Sequence, residues 1–364
     1  MLRYSFLLIS LAIKFDAGAQ TTVRYTTPEV VELYNIACAL TSAGKKGING
    51  IAIIDTTQPY YQKVWAQFSP HQNHALIAAL GKKFEGNIGY FISNQNFANA
   101  YHFSGDSILF DNIFSGGRTL AQRVRYGDAL KSFGTEFESF ARTSSFRRFY
   151  ETQQKTYDSM HTAMQDLAPL APMLDWLNQK FPPLNKNFVV ITSALIDGNH
   201  STFEDKTGTN YIVVSNVYDL LQSKMSFQEQ QARYTGILFT EINHHYCNPA
   251  AEKWAKEINN IFGNRAIWVD DARPSAAMYK SAQKVFNEYF THSTYLLYIK
   301  DKFPDAIYQK VKASRIKAKE ETNGWRRFGA FYAQMEQVYA VSNQNIPALL
   351  PKLLDWCRSA SAQP

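Results

Sequence analysis

At 364 residues, 45% of them hydrophobic, the chain is long enough for one large domain or two sub-domains sharing a cleft, and it shows no fixed-period repeat and no low-complexity tract. The net charge of +7 is mild, and the densest basic tract, Lys310, Lys312, Arg315, Lys317, Lys319, Arg326 and Arg327, is broken by Glu320 and Glu321. It reads as the solvated face of a helix and excludes a nucleic-acid footprint. Three cysteines, Cys38, Cys247 and Cys357, exclude a disulfide framework and permit at most one bridge.

In chain order, Met1-Leu2-Arg3, the apolar run Tyr4 to Ile13 and the small residues Ala17-Gly18-Ala19 have the three zones of a signal peptide over residues 1–19. The run is too short to span a bilayer, so cleavage near Ala19 and a secreted or periplasmic product without a stable membrane span are expected. Thr27-Pro28-Glu29 opens a first helix with Val30, Leu33, Ile36, Ala37 and Leu40 at helical spacing up to Gly44. Pro59-Tyr60-Tyr61 opens a second, and the chain from His71 to Phe149 reads as mostly helical with Phe133, Phe137, Phe140, Phe146 and Phe149 as core. A long helical stretch from about Arg148 to Lys180 ends at Phe181-Pro182-Pro183. This marks a mostly helical N-terminal sub-domain, 20–183, off from a second sub-domain, 184–364.

The second sub-domain begins with two β-branched runs, Phe188 to Thr192 and Tyr211 to Val214. The loop between them carries His200, expected to be exposed. Ser226-Phe227-Gln228-Glu229 is a capping box, and the helix it opens is expected to stop at Asn248-Pro249, because proline lacks a donor. Tyr234, Ile237, Leu238, Glu241, His244 and His245 fall on one side of that helix. An acid and two imidazoles on an apolar side need partners, and a buried Glu–His pair is the plain structural explanation. A later helix, from Pro274 to about Lys302, stacks Glu288 and His292 four residues apart. The remaining helices, Tyr308 to Lys312, Trp325 to Val338 and Ile346 to Trp356, carry no visible chemistry. The fold class is thus α+β and predominantly helical.

Two strands, a capped helix with Glu241-x-x-His244 and then Asn248-Pro249, and a later helix with Asn287-Glu288 together resemble zincin metallopeptidases of the gluzincin type. The helix is most similar to that of an uncharacterised family of secreted bacterial proteins with a zincin-like core, which reads H-E-F-x-H-x-x-x-N-P. The likeness extends upstream through Glu32-Leu33 and the Tyr60-Tyr61, Phe68 and His74 segment. The resemblance implies a small sheet packed on an active-site helix, a zinc ion held by two helix histidines and a downstream Glu, and the helix Glu as general base. By position, Glu241 is the base, His244 one ligand and Glu288 the carboxylate ligand, while Thr240 occupies the degenerate position of the first His. A threonine hydroxyl is a poor zinc ligand, so the resemblance implies a weak or inactive peptidase. An alternative follows from His292, which stands where many gluzincins place the Asp that orients the missing His. That imidazole is expected either to fill the vacated position, giving His244, Glu288 and His292 as ligands, or to bond Thr240 in a site without metal. His245 lies about 100° around the helix from His244 and suits the same ion poorly. The partner implied is a peptide or protein in the cleft, paired with Tyr211 to Val214 as an edge strand; the rival function is a non-catalytic peptide- or glycan-binding or scaffold protein of the bacterial envelope.

Overall fold

Strand β1 (Val23–Thr26) is the first element of the computed structural model, which describes residues 23–115, 125–184, 186–197, 200–342 and 345–362. The expected signal peptide lies outside the described residues. Helix α1 (Glu29–Leu40) follows, and every residue from Val30 to Leu40 is buried. A helix buried all round belongs inside a core, and α1 is the axis of the first one, with Glu32 and Asn35 as its buried polar members. Around it pack α2 (Pro59–Phe68), α3 (Ala75–Phe84) and α4 (Ile88–Phe97). A hairpin of β2 (Tyr101–Ser104) and β3 (Ser107–Phe110) comes next, where a helix was expected. Its two-residue turn places Gly105 at φ 60°, a conformation glycine adopts freely, and strand residues alternate in burial on either side. Helices α5 (Gly134–Thr143) and α6 (Phe146–Thr152) then close this core with Phe137, Phe140 and Phe146.

The long helical stretch expected before Pro182 is interrupted near Gln153 and again at Ala168-Pro169, giving α7 (Gln154–Leu167) and α8 (Leu170–Lys180). Strands β4 (Phe188–Thr192), β5 (Ser201–Glu204) and β6 (Asn210–Val214) join β1 in a sheet ordered β1-β4-β6-β5. The pairings of β1 with β4 and of β4 with β6 are parallel; β5 runs antiparallel to β6. Tyr211 to Val214 is therefore an interior strand, and the antiparallel edge is β5. Its sequence, Ser-Thr-Phe-Glu, is too polar to announce a strand; pairing with β6 makes it one.

Both faces of β4 and β6 are buried, as their continuous β-branched runs require. Phe188, Val190, Ile212 and Val214 face one core, whereas Val189, Ile191, Tyr211 and Val213 face the other. Residues 164–181 already belong to the second core, so the change in composition at Phe181-Pro182-Pro183 marks the entry to the sheet that both cores share.

The second core is built on α9 (Phe227–Glu252), which is 26 residues long, with α10 (Ala255–Phe262), α11 (Ala282–Lys302), α12 (Asp305–Lys317), α13 (Phe328–Ala340) and α14 (Leu350–Ser361). Helix α9 runs through Pro249 instead of stopping before it. The proline forgoes one backbone hydrogen bond, and burial of Ala250 and Ala251 in the last turn outweighs that loss. The capping box forms by half: the Ser226 hydroxyl accepts from the Glu229 amide at 3.3 Å, but the Glu229 carboxylate turns to Arg233 and Lys310. All three cysteines are buried and free. Among the described residues no helix is long and apolar enough to cross a membrane.

Candidate functional site

Helices α9 and α11 lie side by side, locked in register where the Asn243 amide donates to the Thr291 carbonyl at 3.2 Å. That register sets His244 opposite Glu288 at the base of a cleft of about 510 Å³. Thr240, Glu241, His244, Glu288 and His292 all line it, as does β5 through Ser201 and Thr202, so the five residues singled out from the sequence are brought together. A larger recess of about 840 Å³, next to Lys46, Lys82 and Glu85, lies elsewhere on the first core and gathers no catalytic set.

Glu288 is the hub. Its Oε1 lies 3.3 Å from His244 Nε2 and its Oε2 lies 3.6 Å from His292 Nε2. The Tyr279 hydroxyl also bonds this carboxylate. His244 Nδ1 is held by Asn248 Oδ1 at 3.3 Å, with the Thr291 hydroxyl at 3.4 Å. Asn248, one turn beyond His244, is thus what aims the imidazole, a role its i,i+4 spacing allows. Burial opposes charge on both partners, but the mutual ion pair wins: the His244 imidazole is raised to about 9 and the Glu288 carboxyl is held well below the usual carboxylate range. Glu241 faces the cavity without an ion pair among the described residues, and burial lifts its carboxyl to about 7, against the pull of His244.

Thr240 does not face a metal position. Its hydroxyl donates to the carbonyls of Gly236 and Ile237, at 3.0 and 3.1 Å, inside its own helix. His292 is 7% exposed, packs edge-on against Trp325 and leaves its Nδ1 buried without a hydrogen-bond partner. A metal-binding histidine ordinarily has that second nitrogen anchored. Among the described residues no group of three or more His, Cys, Asp or Glu side chains is disposed to hold a metal ion. As arranged, these side chains form a chain of carboxylate–imidazole contacts and do not fit a zinc centre. His245 points away and packs against Phe188, 6.2 Å between ring centres.

Two contributors were not visible as site residues in the sequence. Arg315 at the end of α12 and Lys319 in the wide π turn Ala318–Thr322 leave the basic tract and enter the cleft. The Arg315 guanidinium lies 4.6 Å over the Tyr295 ring and the Lys319 ammonium 4.2 Å over Trp325. Gly236 makes room for the first, because any Cβ there would collide with the guanidinium and the Tyr295 hydroxyl. Other members of the tract behave as expected of a surface face: Lys310 pairs with Glu229 and Lys312 with Glu336. The available signal was the i,i+4 spacing of Arg315 and Lys319, together with a glycine inside a strongly helical stretch.

His200 also lines the cleft, half-buried, and its Nδ1 accepts from the Ser215 amide at 3.4 Å. The expectation of an exposed loop histidine fails because β5 draws the loop inward. Burial and the two cations push its imidazole down to about 4, and burial together with Lys319 pushes His292 well below the ordinary histidine value. Comparison of the chain with protein-family models, curated proteins and solved structures finds no significant match.

Proposed function

We propose that the chain is a secreted metallopeptidase-like protein of the zincin type, whose degenerate Thr240-Glu241-x-x-His244 site is weak or inactive and whose cleft holds a peptide. The observation that carries this reading is the meeting of three elements at one cavity. These are the antiparallel edge strand β5, helix α9 with Glu241 and His244, and helix α11 with Glu288. An edge strand bordering a cleft offers backbone donors and acceptors to an extended chain. The side chains beneath it keep the acid and imidazole that peptide hydrolysis would need, but Thr240 is turned into its own helix and Glu288 is shared between two imidazoles. The alternative of a glycan-binding or scaffold protein leans on the 14% content of Phe, Trp and Tyr, yet those rings fill the two cores, and among the described lining residues Tyr279 is the only one of these three types.

The test is metal analysis of the purified chain together with hydrolysis of a peptide library with and without chelator, repeated on Glu241→Gln. The expected result is no stoichiometric zinc and hydrolysis indistinguishable from that variant. Stoichiometric zinc that disappears in His292→Ala, with chelator-sensitive hydrolysis that disappears in Glu241→Gln, would instead establish a working site on His244, Glu288 and His292.

A further inference from the structure

The cleft is lined by side chains of both signs: Glu241 and Glu288 with His244, and Arg315 with Lys319. The acidic set is largely satisfied, because Glu288 is engaged by His244, His292 and Tyr279. The cationic pair is not: among the described residues neither Arg315 nor Lys319 has a carboxylate within ion-pair distance. Each is half-buried and fixed over an aromatic ring, and Arg315 also donates to the Tyr295 hydroxyl, itself tied to the Ala232 carbonyl at 2.7 Å. A guanidinium stays charged under all ordinary conditions, so a recessed, unpaired pair of cations is costly unless an anion completes it.

We propose that Arg315 and Lys319 form a binding site for the terminal carboxylate of a peptide lying along β5. A single negative charge suits the place better than a phosphate dianion, because Glu241 and Glu288 face the same cavity and repel the second charge. The two residues are four positions apart and line the same cavity, where the guanidinium offers a planar pair of donors and the ammonium a point charge. Burial and the neighbouring guanidinium lower the Lys319 ammonium to about 7 against the pull of Glu288 and Glu241, and a bound carboxylate adds to that pull. Gly236 belongs to the same device, since it alone leaves room for the guanidinium beside α9. The exposed apolar side chain of Met278, 46% accessible at the cleft rim, gives a peptide side chain something to rest on.

The inference rests on the reading of the cleft as a peptide groove, and its test separates the two. The full chain is titrated, by calorimetry and saturation-transfer NMR, with a pool of N-acetylated dipeptides bearing a free carboxylate, with the same pool amidated, and with inorganic phosphate. The free acids are expected to bind at least about tenfold more tightly than the amides. Lys319→Met should abolish that preference, Lys319→Arg should retain it, and Lys317→Met, on an exposed lysine of the same tract, should leave it unchanged. Circular dichroism of each variant checks that it is folded. Equal binding of acids and amides would overturn the carboxylate site while leaving the peptide groove standing. No binding of either pool at about 10 mM, or phosphate binding about tenfold tighter than the acids, would also overturn it. Chelator-sensitive hydrolysis, which would sink the inactive-site reading, leaves the acid-over-amide preference readable in the Glu241→Gln background.

Discussion

His244 and Glu288 meet across two helices, Nε2 to Oε1 at 3.3 Å, and each holds the other in its charged form. The imidazole side chain is 20% exposed and the carboxylate 11%, so the attraction is only partly screened. Glu288→Gln leaves an imidazolium without its counter-charge and is expected to cost about 3 kcal/mol, read from urea denaturation. In a double-mutant cycle with His244→Ala, the two losses should fall short of adding by about 1–2 kcal/mol. Full additivity would mean that the two groups do not interact.

Glu32 makes stability depend on pH. It is fully buried in α1, accepts from the Tyr60 hydroxyl at 2.6 Å, and burial raises its carboxyl to about 7 despite hydrogen bonds from Ser193 and Tyr60. A carboxyl whose pKa is raised in the folded state favours folding while it is protonated. Its contribution is complete below the unfolded value near 4.5 and is lost as the pH rises through about 7. Midpoints of urea denaturation should therefore fall between pH 5 and 8, by an amount worth about 3 kcal/mol at most, and Glu32→Gln should flatten that decline.

Gly236→Ala tests the packing that admits Arg315. The added methyl meets the guanidinium and the Tyr295 hydroxyl, so despite alanine's better helix propensity the variant should lose about 1–3 kcal/mol. Tyr295 should also exchange its hydrogen bond to Ala232 for a looser arrangement, visible as faster amide exchange in the neighbouring turn of α9.

Pro249→Ala should act in the other direction. Proline at this position is exposed and contributes little packing, and it has no N–H to donate to the helical backbone ladder. Restoring that donor is expected to stabilise the chain by about 1 kcal/mol, measured as a higher midpoint in urea.

The parts legible in the sequence were those written in local patterns. The capped start of α9, the Glu241-x-x-His244 pair, the i,i+4 stacking of Glu288 and His292, and the β-branched runs of β4 and β6 all stand where periodicity puts them. What could not be read depends on partners far away in the chain. Strand β5 exists because β6 pairs with it, and β1 because β4 does. Arg315 and Lys319 look like any other residues of a basic helix; the wide turn after α12 and the gap at Gly236 decide that they enter the cleft. Pro249 carried a correct local rule that burial of the following alanines overrode.

The pairing of β1 with β4 has a kinetic corollary. Val23 is matched to Phe188 and Arg24 to Val189, so strand β1 waits for a partner about 165 residues downstream before its backbone groups are satisfied. Because β4 and β6 also supply side chains to both cores, neither half of the molecule can complete its interior before residue 214 has arrived. Such non-local closure slows the search for the native topology. During synthesis, α1 and the helices around it are left with an open flank that a nascent chain must protect until the sheet is in place.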